Sequence, residues 1–214
     1  MTAPTTPSAG PAQDARPAVP VGQRLVAAVL TIGGAVGFLA AFTLTVEKIA
    51  LLKDPSYSPS CSINPVLSCG SVMTTAQAEV FGFPNPLLGI AGFAAVTALG
   101  VVLLTGVILP RWMWWGLEAG VVFGVAFVHW LIFQSLYRID ALCPYCMAVW
   151  TVMIPLFWYT TVHTLTRGYL PVPAGVRRAA DAVAAYHGVV LTAWYLIIVV
   201  LILQRFWLYW TTLV

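Results

Sequence analysis

Five stretches of the chain are each long enough and apolar enough to cross a lipid bilayer. A helix rises 1.5 Å per residue, so a hydrocarbon core of about 30 Å needs roughly 20 apolar residues. The stretches run from about Leu25 to Val46, Pro86 to Leu109, Trp112 to Tyr137, Pro144 to Thr166 and Ala182 to Leu203. Lipid offers no water to bond backbone polar groups, so each stretch must satisfy its own backbone as a helix. The alternating pattern of a membrane β-barrel is absent. Charge content points the same way: 8% of residues are charged and 60% are hydrophobic, against about 25% charged in a soluble domain. That excludes an ordinary soluble fold and a largely disordered chain. The net charge of +3 is spread thinly, so no basic stripe for nucleic acid forms. The expectation is an all-α integral membrane protein of five transmembrane helices, with the lipid bilayer as a partner and no nucleic acid.

Residues 1–23 are different material. Pro4, Pro7, Pro11, Pro17 and Pro20 lie among Ala and Thr, which reads as a disordered cytoplasmic tail. The first span reads as a retained helix rather than a signal peptide. With the tail inside, Arg16, Arg24, Arg111, Arg167, Arg177 and Arg178 fall on the inner side. Lys48, Lys53, Arg138 and Arg205 fall outside, with Lys48 and Arg205 expected to snorkel from their helix ends. Eight Arg against two Lys, with abundant Ala, Val and Gly, fits a GC-rich bacterial genome and so a bacterial cytoplasmic membrane.

This topology puts all four cysteines at the outer face. Cys61 and Cys69 sit in the loop of residues 53–85, and Cys143 and Cys146 open the fourth span. Disulfides persist in an oxidising compartment, and four cysteines allow three pairings, among which the sequence does not choose. In Cys143-Pro-Tyr-Cys146, Pro144 suits the first helical position, which makes Cys143 the N-cap and puts Cys146 in the first turn. Free N–H groups and the helix dipole favour a thiolate there. Asp140 would oppose this if it faces the thiols. Residues 65–80 read as a short helical stretch at the interface, followed by a turn at Gly82, Pro84 and Pro86.

The run from Cys61-Ser-Ile-Asn-Pro-Val-Leu-Ser-Cys69 to Phe83-Pro-Asn85-Pro-Leu resembles the first loop of the vitamin K epoxide reductase family. Cys143-Pro-Tyr-Cys146 at the start of a span resembles that family's active-site motif. The resemblance covers about residues 24–210. It implies a four-helix bundle around a quinone site near the outer face, with a short helix and loop above it. It also implies a membrane thiol–quinone oxidoreductase. Cys146 would react with the quinone, Cys143 would exchange with Cys69, and Cys61 would take electrons from an exported thioredoxin-like protein. Thr75, Asn85 and Trp150 would face the quinone. The first stands where the family usually has Ser, and Trp150 where the animal enzymes have Tyr, so a phenol is replaced by an N–H donor. The quinone could be a menaquinone, a ubiquinone or a vitamin K. Many bacterial members carry a fused thioredoxin-like domain, and the expectation here is a separate partner.

Two rivals stand beside this reading. One is a non-enzymatic scaffold braced by two structural disulfides. The other is a zinc protein, which would need both cysteine pairs to converge on one ion. Other residues read as structural. Glu118 is expected to pair with a neighbouring helix or snorkel, and His129 to pack or bond to a neighbouring helix. Gly33 and Gly37 would mark close helix packing, and Pro155 a kink. His163 and His187 read as interfacial.

Overall fold

The computed structural model describes residues 21–212. Among them lie five helices long and apolar enough to span a membrane. They are α1 (Val21–Lys53), α3 (Asn85–Leu104), α4 (Arg111–Gln134), α5 (Pro144–Thr166) and α7 (His187–Arg205). Three short helices complete the set: α2 (Cys69–Met73), α6 (Ala174–Ala184) and α8 (Trp207–Thr211). No strand forms among the described residues. The chain is an all-α multi-pass membrane protein.

Several boundaries differ from the sequence reading. Residues 21–23 belong to α1, while the rest of the expected tail lies outside the described residues. The second span stops at Leu104, so residues 105–109 are a turn and connector. Ala182 belongs to the separate helix α6, and the fifth span starts only at His187. The apolar window ran on through both places because small apolar residues continue past the helix ends. In α6, Val176 and Val183 share one side while Arg177, Arg178 and Asp181 share the other. At 11 residues it is about 16 Å long, too short to cross.

α1 and α3 form the tightest pair, running antiparallel along a ladder of small residues. A Cβ placed on Gly100 would sit 2.5 Å from the backbone N of Thr31, and one on Gly34 would sit 2.9 Å from that of Thr97. Further along, Gly37 faces Phe93 and Gly89 faces Ala41. Thr31 and Thr97 each donate their hydroxyl back to their own helix, at 2.8 and 2.7 Å, so they enter the contact with no free polar group. Gly33 faces Leu156 of α5 instead. Gly33 and Gly37 therefore serve two different interfaces rather than one shared face.

α5 packs against both α1 and α4. Glu118 of α4 is buried and accepts from Thr161 at 2.7 Å and Thr164 at 3.0 Å, both on α5, which is the expected helix pairing. His163, expected near the inner interface, is buried and packs at a tilt against the rings of Trp114 and Tyr169. Pro155 has no N–H to give the Thr151 carbonyl four residues back. The hydroxyl of Tyr195 on α7 takes that carbonyl at 2.6 Å. α7 lies against the outside of the other four, and none of its residues is buried. Trp194 on α7 donates to His129 on α4 at 2.9 Å, so this histidine does bond to a neighbouring helix.

Of the two residues expected to snorkel, Arg205 pairs at the surface and Lys48 is buried instead. Arg205 turns back and donates to the carbonyl of Leu136 at 2.7 Å and to the carboxylate of Asp140. Lys48 is buried, 8% exposed, and donates to the carbonyl of Met73 at 2.8 Å. For Lys48 the Met73 carbonyl and the Glu79 carboxylate take the ammonium within the protein, whereas Arg205 stays exposed beside Asp140. Asp140 is thereby paired with a cation.

Candidate functional site: four cysteines beside a cavity

The two cysteine-bearing segments meet through backbone hydrogen bonds. Leu67 and Leu142 form an isolated parallel bridge, with the N–H of Leu142 donating to Val66 at 2.7 Å and that of Ser68 donating to Leu142 at 2.9 Å. Ser68 and Leu142 each immediately precede a cysteine, so the bridge brings Cys69 and Cys143 side by side. On one side Asn64 supports it, accepting from the N–H groups of Val66 and Leu67 at 3.0 and 2.7 Å. On the other, α4 runs into a π turn at Ser135–Ile139 that ends at Asp140, whose φ of 57° lies in the left-handed region.

The sequence left the pairing open. In the structure Cys61 and Cys69 form a disulfide with Cα atoms 5.5 Å apart, while Cys143 and Cys146 are free thiols. Cys69 Sγ and Cys143 Sγ are 3.1 Å apart. Cys61, Cys69 and Cys143 are buried in a small apolar cluster with Leu44 and Met73. Cys143 is the N-cap of α5, as the motif predicts, and its sulfur accepts from the N–H of Cys146 at 3.4 Å. The Cys146 thiol hydrogen-bonds to Cys143 and holds its pKa below the ordinary thiol range; burial opposes this, and the N–H groups of Cys146 and Tyr145 assist. Such a thiol is the nucleophile type for disulfide exchange.

Below the cluster lies a cavity of about 550 Å³ between α1, α3, α4 and α5. That size and its largely apolar wall are those of a small-molecule site. Its breadth has a sequence cause: Gly92 on α3 and Gly116 and Gly120 on α4 have nothing within 4 Å of where a Cβ would stand. The loop over the 3-10 turn Ala76–Glu79 closes the cysteine end.

All seven sequence-predicted site residues fall in this one place. Cys61, Cys69 and Cys143 form the cluster, and Cys146 both packs on that cluster and lines the cavity. Thr75, Asn85 and Trp150 line the cavity too. The Thr75 hydroxyl donates to the carbonyl of Val72 at 2.8 Å. Asn85 opens α3; its amide donates to Gln77 at 2.7 Å and accepts from the N–H of Val80 at 3.2 Å, which leaves one N–H. Trp150 is buried, and its indole N–H has no acceptor. Of the expected helical stretch 65–80, residues 69–73 and 76–79 are helical, and the part before Cys69 is spent on the bridge.

A profile of the vitamin K epoxide reductase family matches residues 28–161. The chain belongs to the vitamin K epoxide reductase family. The match takes in all four cysteines, most of α1, and α3, α4 and most of α5; it stops short of α6 and α7, so it is narrower than the 24–210 of the resemblance. Comparison with curated proteins finds no match. Membership makes this family member a membrane oxidoreductase acting on thiols.

Sequence reading missed Glu47 and Lys48. Both are buried at the cysteine end of α1 and bonded to the cysteine loop. A signal was present: Ile49, Ala50, Leu51 and Leu52 follow them, so these charges interrupt an apolar run rather than end it.

Proposed function

We propose that the chain oxidises the dithiol of an exported thioredoxin-like protein and passes the two electrons to a membrane quinone, supporting disulfide formation outside a bacterial cytoplasmic membrane. The cysteine end faces outward, where disulfides persist, and the Arg111 and Arg167 end faces the cytoplasm. The unit that does this is the membrane domain of about residues 24–210 with its loop of residues 53–85.

The observation that carries the reading is the sulfur spacing: a formed disulfide, then 3.1 Å to a second pair, then a cavity lined by the last sulfur. The partner's thiolate attacks Cys61, breaks Cys61–Cys69 and releases Cys69 as thiolate. A second partner thiol resolves the mixed disulfide, leaving the partner oxidised and Cys61 reduced. Cys69 attacks Cys143 of a Cys143–Cys146 disulfide and releases Cys146. Cys61 then resolves Cys69–Cys143. The loop disulfide is restored and both electrons rest on Cys143 and Cys146, which matches the redox arrangement of the structure.

A quinone, when bound, supplies a two-electron sink. The cavity residues fit one: Trp150 has a buried N–H without an acceptor, Asn85 has an N–H to spare, and the apolar wall suits a ring and a hydrocarbon tail. Trp150 and Asn85 would hold its carbonyls, Thr75 would flank it, and Cys146 would face it.

The scaffold rival predicts cysteines inert to outside thiols. The test is to mix the protein with a thioredoxin-like protein that keeps only its attacking cysteine. A mixed disulfide mapped to Cys61 by peptide mass spectrometry is expected. An intact Cys61–Cys69 bond with no adduct would refute the proposal.

A further inference from the structure

Glu47 and Lys48 are consecutive, yet they do not pair with each other. Successive residues on a helix point about 100° apart, so each reaches a different part of the loop. Glu47, 7% exposed, accepts from the hydroxyl and N–H of Ser60 and from the hydroxyl of Tyr57 at 2.9 Å. Ser60 immediately precedes Cys61. Lys48 donates to the carbonyl of Met73 at 2.8 Å and pairs with Glu79 at 2.8 Å. Met73 ends α2, the helix that Cys69 begins. The segment before the disulfide is thus tied to one charge and the segment after it to the next.

Burying two charges is costly, and an apolar pair would pack at the end of a helix with less desolvation. The interactions made instead all go to the two arms flanking Cys61–Cys69. The Leu67–Leu142 bridge sets the register along the chain, but it joins only the middle of the loop. It makes no bond to Tyr57 and Ser60 before the disulfide or to Met73 and Glu79 after it, which are the groups that Glu47 and Lys48 hold.

We infer that Glu47 and Lys48 are positioning residues, a two-armed clamp that holds Cys69 within exchange distance of Cys143. The inference rests on the proposed relay through those two sulfurs. Lys48 also lines the cavity, so one arm of the clamp is shared with the wall of the site below.

The test uses the full chain in lipid nanodiscs with Cys61→Ser and Cys146→Ser, leaving Cys69 and Cys143. Diamide takes two electrons and two protons from the thiols as the Cys69–Cys143 bond forms, and its rate is read by alkylation and mass spectrometry. Lys48→Met and Glu47→Leu are expected to slow this bond at least tenfold each, and Lys48→Arg to restore most of the rate. A parallel chain with Cys61→Ser and Cys69→Ser reports Cys143–Cys146 formation, which the clamp variants should leave within twofold. Equal Cys69–Cys143 rates with and without the clamp would overturn the inference and leave the relay standing. Slowing of both reactions alike would also overturn it, since it would mark a general loss of structure. No Cys69–Cys143 bond even with the clamp intact would overturn the relay and the clamp together.

Discussion

At the scale of single residues, the chemistry depends on how Cys143 is held. The hydrogen bond from the Cys146 thiol favours its thiolate, so Cys143 ionises at a lower pH than an ordinary thiol, which titrates near about 8.5. The sign follows directly. In the reverse of the proposed exchange, attack by Cys143 on Cys69 of the loop disulfide runs at its full rate above the lowered pKa and falls as pH drops through it. Replacing Cys146 with Ala removes the main stabilising donor, so the midpoint of that exchange should move upward. Rapid acid quench and mass spectrometry across a pH series would check this, and a midpoint that stays or moves downward would contradict it. The N-cap role of Cys143 was legible in the sequence because a cap, a proline and a cysteine are local signals. Other single-residue readings were not. Lys48, Arg205, Asp140 and His163 take their roles from atoms far away in the chain: the Met73 carbonyl, the Leu136 carbonyl, the Arg205 guanidinium and the Trp114 ring. A hydropathy pattern reports where a charge sits along a helix, not which carbonyl comes to meet it.

Among elements, the contact of α1 with α3 is set by absent side chains. At Gly100 an added Cβ would meet backbone, which cannot move aside as a flexible side chain can. Gly100→Ala should therefore force the two helices apart and cost roughly 1–3 kcal/mol, the range for overpacking. Gly120→Ala meets nothing within 4 Å and should not lower stability, alanine being the better helix former. Thermal unfolding of both variants in the same detergent would check the pair, and equal melting temperatures would contradict the account. The presence of the five spans was legible because apolar length alone decides it. Their partners were not. Gly33 and Gly37 looked like one face, but the closest backbone approaches fall at Gly34 and Gly100. The end of α6, residues 182–184, falls within the expected fifth span because its alanines and valine extend the apolar run, and the boundary shows only in the turn after Ala184. The consequence of Pro155 was half legible: the missing N–H could be foreseen, but not that Tyr195 on another helix would fill it.

For the whole molecule, four helices enclose one cavity and the fifth is attached outside them by side-chain bonds from Trp194, Tyr195 and Arg205. The proposed route for electrons runs from the loop disulfide to Cys143 and then to Cys146 beside the cavity. The most direct measurement is quinone reduction, followed by absorbance, by the purified protein in lipid vesicles supplied with a reduced thioredoxin-like protein. One quinol per partner disulfide is expected in the wild type, with the rate lost in Cys146→Ala while the partner still exchanges with Cys61. Quinone reduction at the wild-type rate in Cys146→Ala would contradict the account.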